Sequence, residues 1–216
     1  GGLPKMVLLV EFAGDDAAAL QQKATALAKE LKTQYKVLTH VTESEIEEEK
    51  YWEVRHESFN LLRKHVQGKH TAPFIDDFVI LPKYLPEFLP KLDTILSEYK
   101  LTYTIAGHPG DGNFHIIPLM DLKDPKTREI ILDLSEKVYT LVLEYKGSIT
   151  AEHNDGIIRS PYLEKQYGAE IVGLFKQTKE IFDPHYICNP HKKVGVTKDD
   201  IAKYLSHGDY GEATKK

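Results

Sequence analysis

Gly107-His108-Pro109-Gly110-Asp111-Gly112-Asn113-Phe114-His115 connects two runs that are typical of β-strands, residues 101–106 and 114–119. Glycine, proline, aspartate and asparagine together favour a tight turn. The sequence therefore predicts a β-hairpin at this point. A structural turn requires the glycines but not the histidine at each end, so the hairpin is also a candidate functional site.

The register of this hairpin decides whether its two histidines can act together. If residues 109–112 form the loop, His108 pairs with Asn113 and Ala106 pairs with His115. Side chains alternate along a strand, so these residues then share one face of the sheet. His108 and His115 become diagonal neighbours, roughly 7–8 Å apart at the backbone. Their imidazoles can converge on one ion, whereas a loop shorter or longer by one residue would place them on opposite faces.

The remaining chain alternates strand-like and helix-like segments. Short apolar runs and alternating patterns predict further strands at 5–12, 35–41, 74–81 and 148–151. Helical spacing with capping residues predicts helices at 17–33, from Thr42 or Ser44 to about 66, from Pro82 or Pro86 to about 99, and at 125–145 and 167–182. A loop from residue 187 leads into a polar tail.

This order of elements predicts an α+β fold. We expect an antiparallel sheet with helices packed on one face, as in ferredoxin-like domains, plus a C-terminal helical segment. No strong linker interrupts the sequence, so we expect residues 1–216 to form one domain.

Composition excludes several classes of protein. The 216 residues carry a formal net charge of -5, which argues against a nucleic-acid-binding surface. No apolar run is long enough to cross a bilayer, so we expect no membrane span. The single cysteine, Cys188, excludes an internal disulfide and fits a reducing compartment. We expect a cytoplasmic protein, with peripheral membrane attachment as the alternative.

A carboxylate is needed to complete a divalent-ion site built on two histidines. The segment that follows the predicted strand at 148–151 supplies the best candidates, Glu152 and His153. One of the two could bind the ion while the other handles a proton. The alternatives are a solvated turn and, for the glycines at 107–112, a phosphate-binding loop. The phosphate loop is disfavoured because no helix opens after it.

Three motifs in this order resemble a known family. They are Gly-His-x-Gly-Asp-Gly-Asn-x-His at 107–115, Gly-Ser-Ile-Thr-Ala-Glu-His-Asn-Asp-Gly at 147–156, and Phe-Asp-Pro-x-x-Ile-x-Asn-Pro-x-Lys-Lys at 182–193. Nearly the whole chain is similar to the C-terminal half of FAD-linked oxidases of the vanillyl-alcohol-oxidase type. That family includes D-lactate and D-2-hydroxyglutarate dehydrogenases and the glycolate oxidase D subunit. Trp52 and Arg55 also fall where the family has a tryptophan and an arginine.

The resemblance implies the substrate half of a flavin-dependent 2-hydroxy-acid dehydrogenase with a D-lactate-like substrate. An FAD-binding domain, absent from this chain, would hold FAD, and hydride would pass to it and on to an unknown electron acceptor. The resemblance also implies site residues. His108, His115 and Glu152 would hold a divalent ion, zinc or manganese; His153 would be the base, Arg55 the carboxylate clamp, Asn113 near the substrate, and Asn189 and Lys192 near the flavin.

The chain departs from the family pattern at three positions. Asn154 and His191 stand where the family usually has glycine, and Ile75 stands where some members carry a lysine that contacts the substrate. Asparagine tolerates the left-handed backbone that glycine adopts. Two other functions stay open at this point: a non-catalytic scaffold or interaction domain with the same fold, and a stand-alone metal-dependent hydrolase.

Overall fold

The structure, a computed structural model, describes residues 6–65 and 68–206. The chain divides into two compact units, one up to His65 and one after it. The prediction that residues 1–216 form one domain stays a prediction. Among the described residues, no helix is both long and apolar enough to cross a membrane.

Over residues 6–65, the described part of the first unit, the chain forms two helices. Helix α1 spans Ala17–Tyr35 and helix α2 spans Glu45–His65. Asp16 caps α1 by accepting the backbone N–H of Ala19 at 3.0 Å. The strands predicted at 5–12 and 35–41 are wrong for the described residues, which form no strand there. No described strand pairs with their backbone, and most of their apolar side chains are exposed, up to 100% for Leu38.

The second unit is built on a small antiparallel sheet. Its strands are β1 (His70–Thr71), β2 (Ile75–Val79), β3 (Thr102–His108) and β4 (Asn113–Met120). Strand β4 is central, with β3 on one edge and both β1 and β2 on the other. The predicted strand at 148–151 is reduced to one antiparallel bridge between Ser148 and Val79 of β2.

Two helices cover one face of this sheet. Helix α3 spans Leu85–Ser97 after a short 3₁₀ turn, and helix α4 spans Pro125–Glu144. Ser148, β2, β4 and β3 lie side by side in that order, which gives the predicted ferredoxin-like βαββαβ arrangement. The core between helices and sheet contains fully or almost fully buried apolar side chains: Phe78, Leu92, Leu96, Ile116, Leu134 and Val138.

The C-terminal part adds two helices. Helix α5 spans Leu163–Phe182 and starts before the predicted residue 167, with a non-helical kink at Gly168. Helix α6 spans Lys198–Ser206, where we expected only a polar tail. Thr197 and Asp200 exchange hydrogen bonds at its start, and Ile201, only 2% exposed, anchors it in the core.

The hairpin has the register that the metal hypothesis requires. His108 pairs with Asn113, and Ala106 pairs with His115. Gly112 makes the loop possible, since its φ is +75° and a Cβ there would lie 1.7 Å from the carbonyl oxygen of Ile80. His115 alternates with the core residues Phe114 and Ile116, so it points to the face opposite α3 and α4.

Candidate functional site

A buried carboxylate fixes the segment that follows Ser148. Asp77 lies at a β-bulge in β2, with a φ of +70°. Its carboxylate accepts the backbone N–H groups of Ala151, Glu152 and His153 at 3.0, 3.1 and 2.8 Å, and the Thr150 hydroxyl at 3.1 Å. Burial alone would raise the pKa of Asp77, but the three N–H groups lower it to about 2. Residues 150–153 are therefore held in one conformation beside the hairpin.

Two further buried side chains support this arrangement. Asn113 donates to the Asp77 carboxylate and to the Phe78 carbonyl, both at 3.2 Å. Arg159, 4% exposed, donates to the Asn154 carbonyl at 2.8 Å and also to the Asp76 carbonyl. Asn113 thereby joins β4 to β2 at the bulge, and Arg159 joins the segment after Ser148 to β2.

Three imidazoles and one carboxylate meet on the face opposite the helices. Oε1 of Glu152 lies 3.0 Å from Nε2 of His115, 3.5 Å from Nε2 of His153 and 3.6 Å from Nε2 of His108. The rings of His115 and His153 stack with centroids 4.7 Å apart, and the His108 ring lies 5.7 Å from His115 at right angles. Four of the predicted site residues thus converge on one point.

Burial differs among these groups. The His115 side chain is 7% exposed, whereas those of His108, Glu152 and His153 are 53%, 49% and 45% exposed. The cluster is therefore accessible to a ligand from the side of His108, Glu152 and His153, whereas His115 is its most buried member. The hydrogen bond from His115 to Asp76 raises the pKa of the imidazole, and burial partly opposes that shift.

The donor set suits a divalent ion. Ligand atoms of Asp77, His115, Glu152 and His153 lie within 4.8 Å of one another. Asp77 is a poor ligand despite its position, because both of its oxygens already accept backbone N–H groups. Imidazole nitrogens with one carboxylate are a combination that binds zinc and also suits manganese. The residues present therefore fit the metal that the sequence predicts, and His108 stands at the edge of the group.

The remaining predicted site residues are Arg55, Asn113, Asn189 and Lys192. Arg55 is half-buried on α2, in the first unit, and its part in binding a carboxylate stays a prediction. Asn189 and Lys192 are exposed in the loop after α5, and among the described residues no hydrogen bond or ion pair joins them to the histidines. Asn113 contributes to the site by holding Asp77. The flavin-proximal role of Asn189 and Lys192 stays a prediction.

Sequence reasoning missed three positions that support the site, Asp76, Asp77 and Arg159. Asp76 bonds both His115 and His153, at 3.0 and 3.1 Å. The signal in the sequence was the adjacent pair of aspartates inside the apolar run at 74–81. Two acidic residues in a buried strand are costly unless they meet donors, so this pair pointed to a polar site. Arg159 carried no comparable signal.

A model of the family "FAD linked oxidases, C-terminal domain" matches residues 4–193. The chain belongs to this family. As an FAD-linked oxidase C-terminal domain, it carries the hairpin, the Asp77-bound segment and the loop after α5 within the matched range. The positions where it departs from the family's usual glycines keep a left-handed backbone, with φ of +68° at Asn154 and +57° at His191.

Curated relatives of this C-terminal domain are much longer proteins. The chain is 31% identical over 188 residues to "D-2-hydroxyglutarate dehydrogenase" of Pseudomonas putida, a match that covers 85% of the chain and 18% of that protein. It is 28% identical over 188 residues to "D-lactate dehydrogenase [cytochrome], mitochondrial" of Arabidopsis thaliana, covering 87% and 32%. It is 28% identical to "Glycolate oxidase subunit GlcD" of Bacillus subtilis, covering 55% and 25%. The chain spans between about a fifth and a third of these relatives.

Proposed function

We propose that this domain forms the substrate and metal side of a flavin-dependent 2-hydroxy-acid dehydrogenase with a small, D-lactate-like substrate. The observation that carries the proposal is the convergence of three imidazole Nε2 atoms on the Glu152 carboxylate, on the open face of the sheet. The dehydrogenase names of the relatives support the reaction class. The electron acceptor downstream of the flavin, and a cytoplasmic location, stay predictions.

His108, His115 and Glu152 would hold the ion, with zinc or manganese as the metals that suit these donors. An FAD-binding domain would supply the flavin, with Asn189 and Lys192 toward it. When bound, the ion acts as a Lewis acid that lowers the pKa of a coordinated hydroxyl, and FAD accepts a hydride. The Lewis-acid action of the ion and the hydride acceptance by FAD both suit a substrate that carries a hydroxyl next to a carboxylate.

The chain's own residues divide the remaining work. His153, 45% exposed in its side chain, offers Nε2 at the mouth of the cluster as the acceptor of the substrate hydroxyl proton. Asp77 and Asn113 hold the 151–153 backbone, which fixes the separation between that nitrogen and Glu152. Arg55 would bind the substrate carboxylate through two parallel hydrogen bonds. Loss of the hydroxyl proton and of a hydride from the same carbinol leaves a 2-oxo acid.

The test is a reduction assay in a flavoprotein that contains this domain together with an FAD-binding domain. Anaerobic addition of D-lactate or D-2-hydroxyglutarate should bleach the flavin absorbance. Glu152→Gln should remove both bound metal, measured by elemental analysis, and flavin reduction. His153→Ala should retain the metal and slow flavin reduction by about 10²–10⁴-fold, the usual contribution of a general base.

Matched substitutions at exposed positions serve as controls. Glu170→Gln, on α5, and His185→Ala, in the following loop, change the same residue types outside the cluster and should leave both readings unchanged. Unchanged flavin reduction in Glu152→Gln would contradict the proposal and favour the scaffold function. Ester or phosphate hydrolysis by the chain without flavin would contradict it in favour of a hydrolase.

A further inference from the structure

A single buried carboxylate contacts two rings of the cluster. Oδ1 of Asp76 lies 3.0 Å from Nδ1 of His115, and Oδ2 lies 3.1 Å from Nδ1 of His153. Asp76 is 7% exposed, so water does little to satisfy its oxygens. Each oxygen therefore has a ring nitrogen as its side-chain partner.

These contacts determine where the ring protons reside. An ionised carboxylate can only accept hydrogen bonds, so Asp76 requires the hydrogen of each ring on Nδ1. Glu152 Oε1 competes for the hydrogen of His115, since it lies 3.0 Å from Nε2. Glu152 is 49% exposed and water can satisfy it, whereas buried Asp76 depends on the two rings, so the hydrogen resides on Nδ1. A neutral imidazole has one N–H and one lone pair. In their neutral forms, His115 and His153 must then both present a lone pair at Nε2. Both of these atoms point to the same place, the neighbourhood of Glu152 Oε1, at 3.0 and 3.5 Å.

We propose that Asp76 is a positioning residue that fixes both His115 and His153 in the Nδ1–H form and so directs both Nε2 lone pairs into the cluster. The inference rests on the proposed function, because it gives His115 its capacity to bind an ion and His153 its capacity to accept a proton. One carboxylate thus serves the metal ligand and the base at once. Outer carboxylates that orient metal-binding histidines are a general feature of metal sites.

Asp77 does not duplicate this role. The bulge brings the two adjacent aspartates to the same segment, but the oxygens of Asp77 bind backbone N–H groups, whereas those of Asp76 bind imidazoles. The two rings that share the oxygens of Asp76 are stacked, with 11° between their planes. Asp77 fixes the backbone, and Asp76 fixes the rings.

Asp76→Asn separates orientation from packing. Asparagine has almost the same shape but only one acceptor oxygen, and its amide N–H₂ must face the second ring. That ring then accepts at Nδ1 and carries its hydrogen on Nε2, where it can neither bind an ion nor take a proton. In either orientation of the amide, His115 loses its charged partner, so we expect the affinity for zinc to fall by about 10–100-fold, the usual effect of removing such a partner.

The experiment is two-bond ¹H–¹⁵N correlation spectroscopy on the ¹⁵N-histidine-labelled chain, at alkaline pH and without metal. Signals are assigned from His115→Gln and His153→Gln. The wild-type chain should show both rings as the Nδ1–H tautomer, a measurement that does not depend on whether Asp76→Asn folds. Asp76→Asn should move one ring to the Nε2–H tautomer, and a competition titration with zinc should show the weaker affinity. Asp93→Asn, an exposed aspartate on α3, is the control and should change neither reading.

The outcomes separate this inference from the function on which it rests. An Nε2–H tautomer for His115 or His153 in the wild-type chain would overturn the role of Asp76, as would an Asp76→Asn chain with unchanged tautomers and unchanged zinc affinity. Failure of the wild-type chain to bind zinc or manganese, with both rings in the Nδ1–H form, would overturn the proposed metal site instead.

Discussion

Replacing Asp77 with asparagine should destabilise the second unit more than any other conservative change at the site. The Asp77 carboxylate accepts the backbone N–H groups of Ala151, Glu152 and His153, and Asp77 itself is fully buried. Asparagine keeps one acceptor oxygen and turns an N–H₂ group toward the same donors. At least one buried backbone N–H is then left without an acceptor.

The size of the effect follows from two contributions. The pKa of Asp77 falls from 3.8 to about 2, which corresponds to roughly 2.4 kcal/mol of stabilisation of the charged form. Water around the half-exposed Glu152 and His153 screens part of this, leaving about 1–2 kcal/mol. The unsatisfied N–H costs a further ~1–3 kcal/mol. We therefore expect Asp77→Asn to lower the free energy of unfolding by about 2–5 kcal/mol near neutral pH.

The dependence on pH gives the sharper test. Because folding lowers the pKa of Asp77, its stabilisation is complete above the unfolded value of 3.8 and is lost as the pH falls through about 2. Urea unfolding should show that the free energies of unfolding of wild type and Asp77→Asn differ by a constant amount from neutral pH to about pH 5. This difference in free energy should become smaller toward about pH 3. Asp93→Asn, exposed on α3, should change stability by under about 0.5 kcal/mol. A difference between wild type and Asp77→Asn that is below that value, or does not narrow with acid, would refute the reasoning.

Two further predictions concern the fold that carries the site, and thermal unfolding measures both. Gly112→Ala should lower the free energy of unfolding by at least about 2 kcal/mol, because the φ of Gly112 is +75° and the new Cβ would lie 1.7 Å from the Ile80 carbonyl oxygen. Gly110→Ala is the control: a Cβ there meets nothing within 4 Å, so the loss should be far smaller. Equal effects of the two substitutions would contradict the account of the loop. Leu134→Ala should lower the free energy of unfolding by about 2–5 kcal/mol, since Leu134 is 0% exposed in the core. Leu38→Ala, at a residue that is 100% exposed, should change it by no more than about 0.5 kcal/mol. A small effect of Leu134→Ala would contradict the position of the core.

The hairpin and its register were predictable because local chemistry determines them. Turn residues fix the loop at 109–112, and the alternation of side chains then places His108 and His115 on one face. Helix α4 was predictable for a similar reason, since its apolar side chains recur at helical spacing and six of them are buried in the core. In both cases the deciding interactions lie within a short stretch of chain.

The prediction of strands at 5–12 and 35–41 was wrong because the apolar pattern of a segment does not show whether it has a partner strand. An apolar run shows that a segment suits a sheet, but a strand also needs a partner whose N–H and C=O groups face it. Helix α6 was missed because its composition is polar, which suggested a tail without structure. A buried side chain, Ile201, anchors it in the core. Thr197 and Asp200 did carry a helix-start pattern that composition obscured.

At the site, His108, His115, Glu152 and His153 could be predicted to lie together from the sequence, but the two aspartates that hold them in place could not. Regular alternation would place Asp76 and Asp77 on opposite faces of β2. The bulge at Asp77 brings both to residues 150–153, and a φ of +70° on an aspartate is not a feature that periodicity reveals.

Anomalous diffraction at the zinc edge, on crystals of this chain grown with zinc, tests the central claim most directly. The account predicts one strong peak about 2.0–2.2 Å from Nε2 of His108, Nε2 of His115 and a carboxylate oxygen of Glu152, with His153 beside it. A peak bound elsewhere, or none at saturating zinc while the hairpin keeps its register, would contradict it.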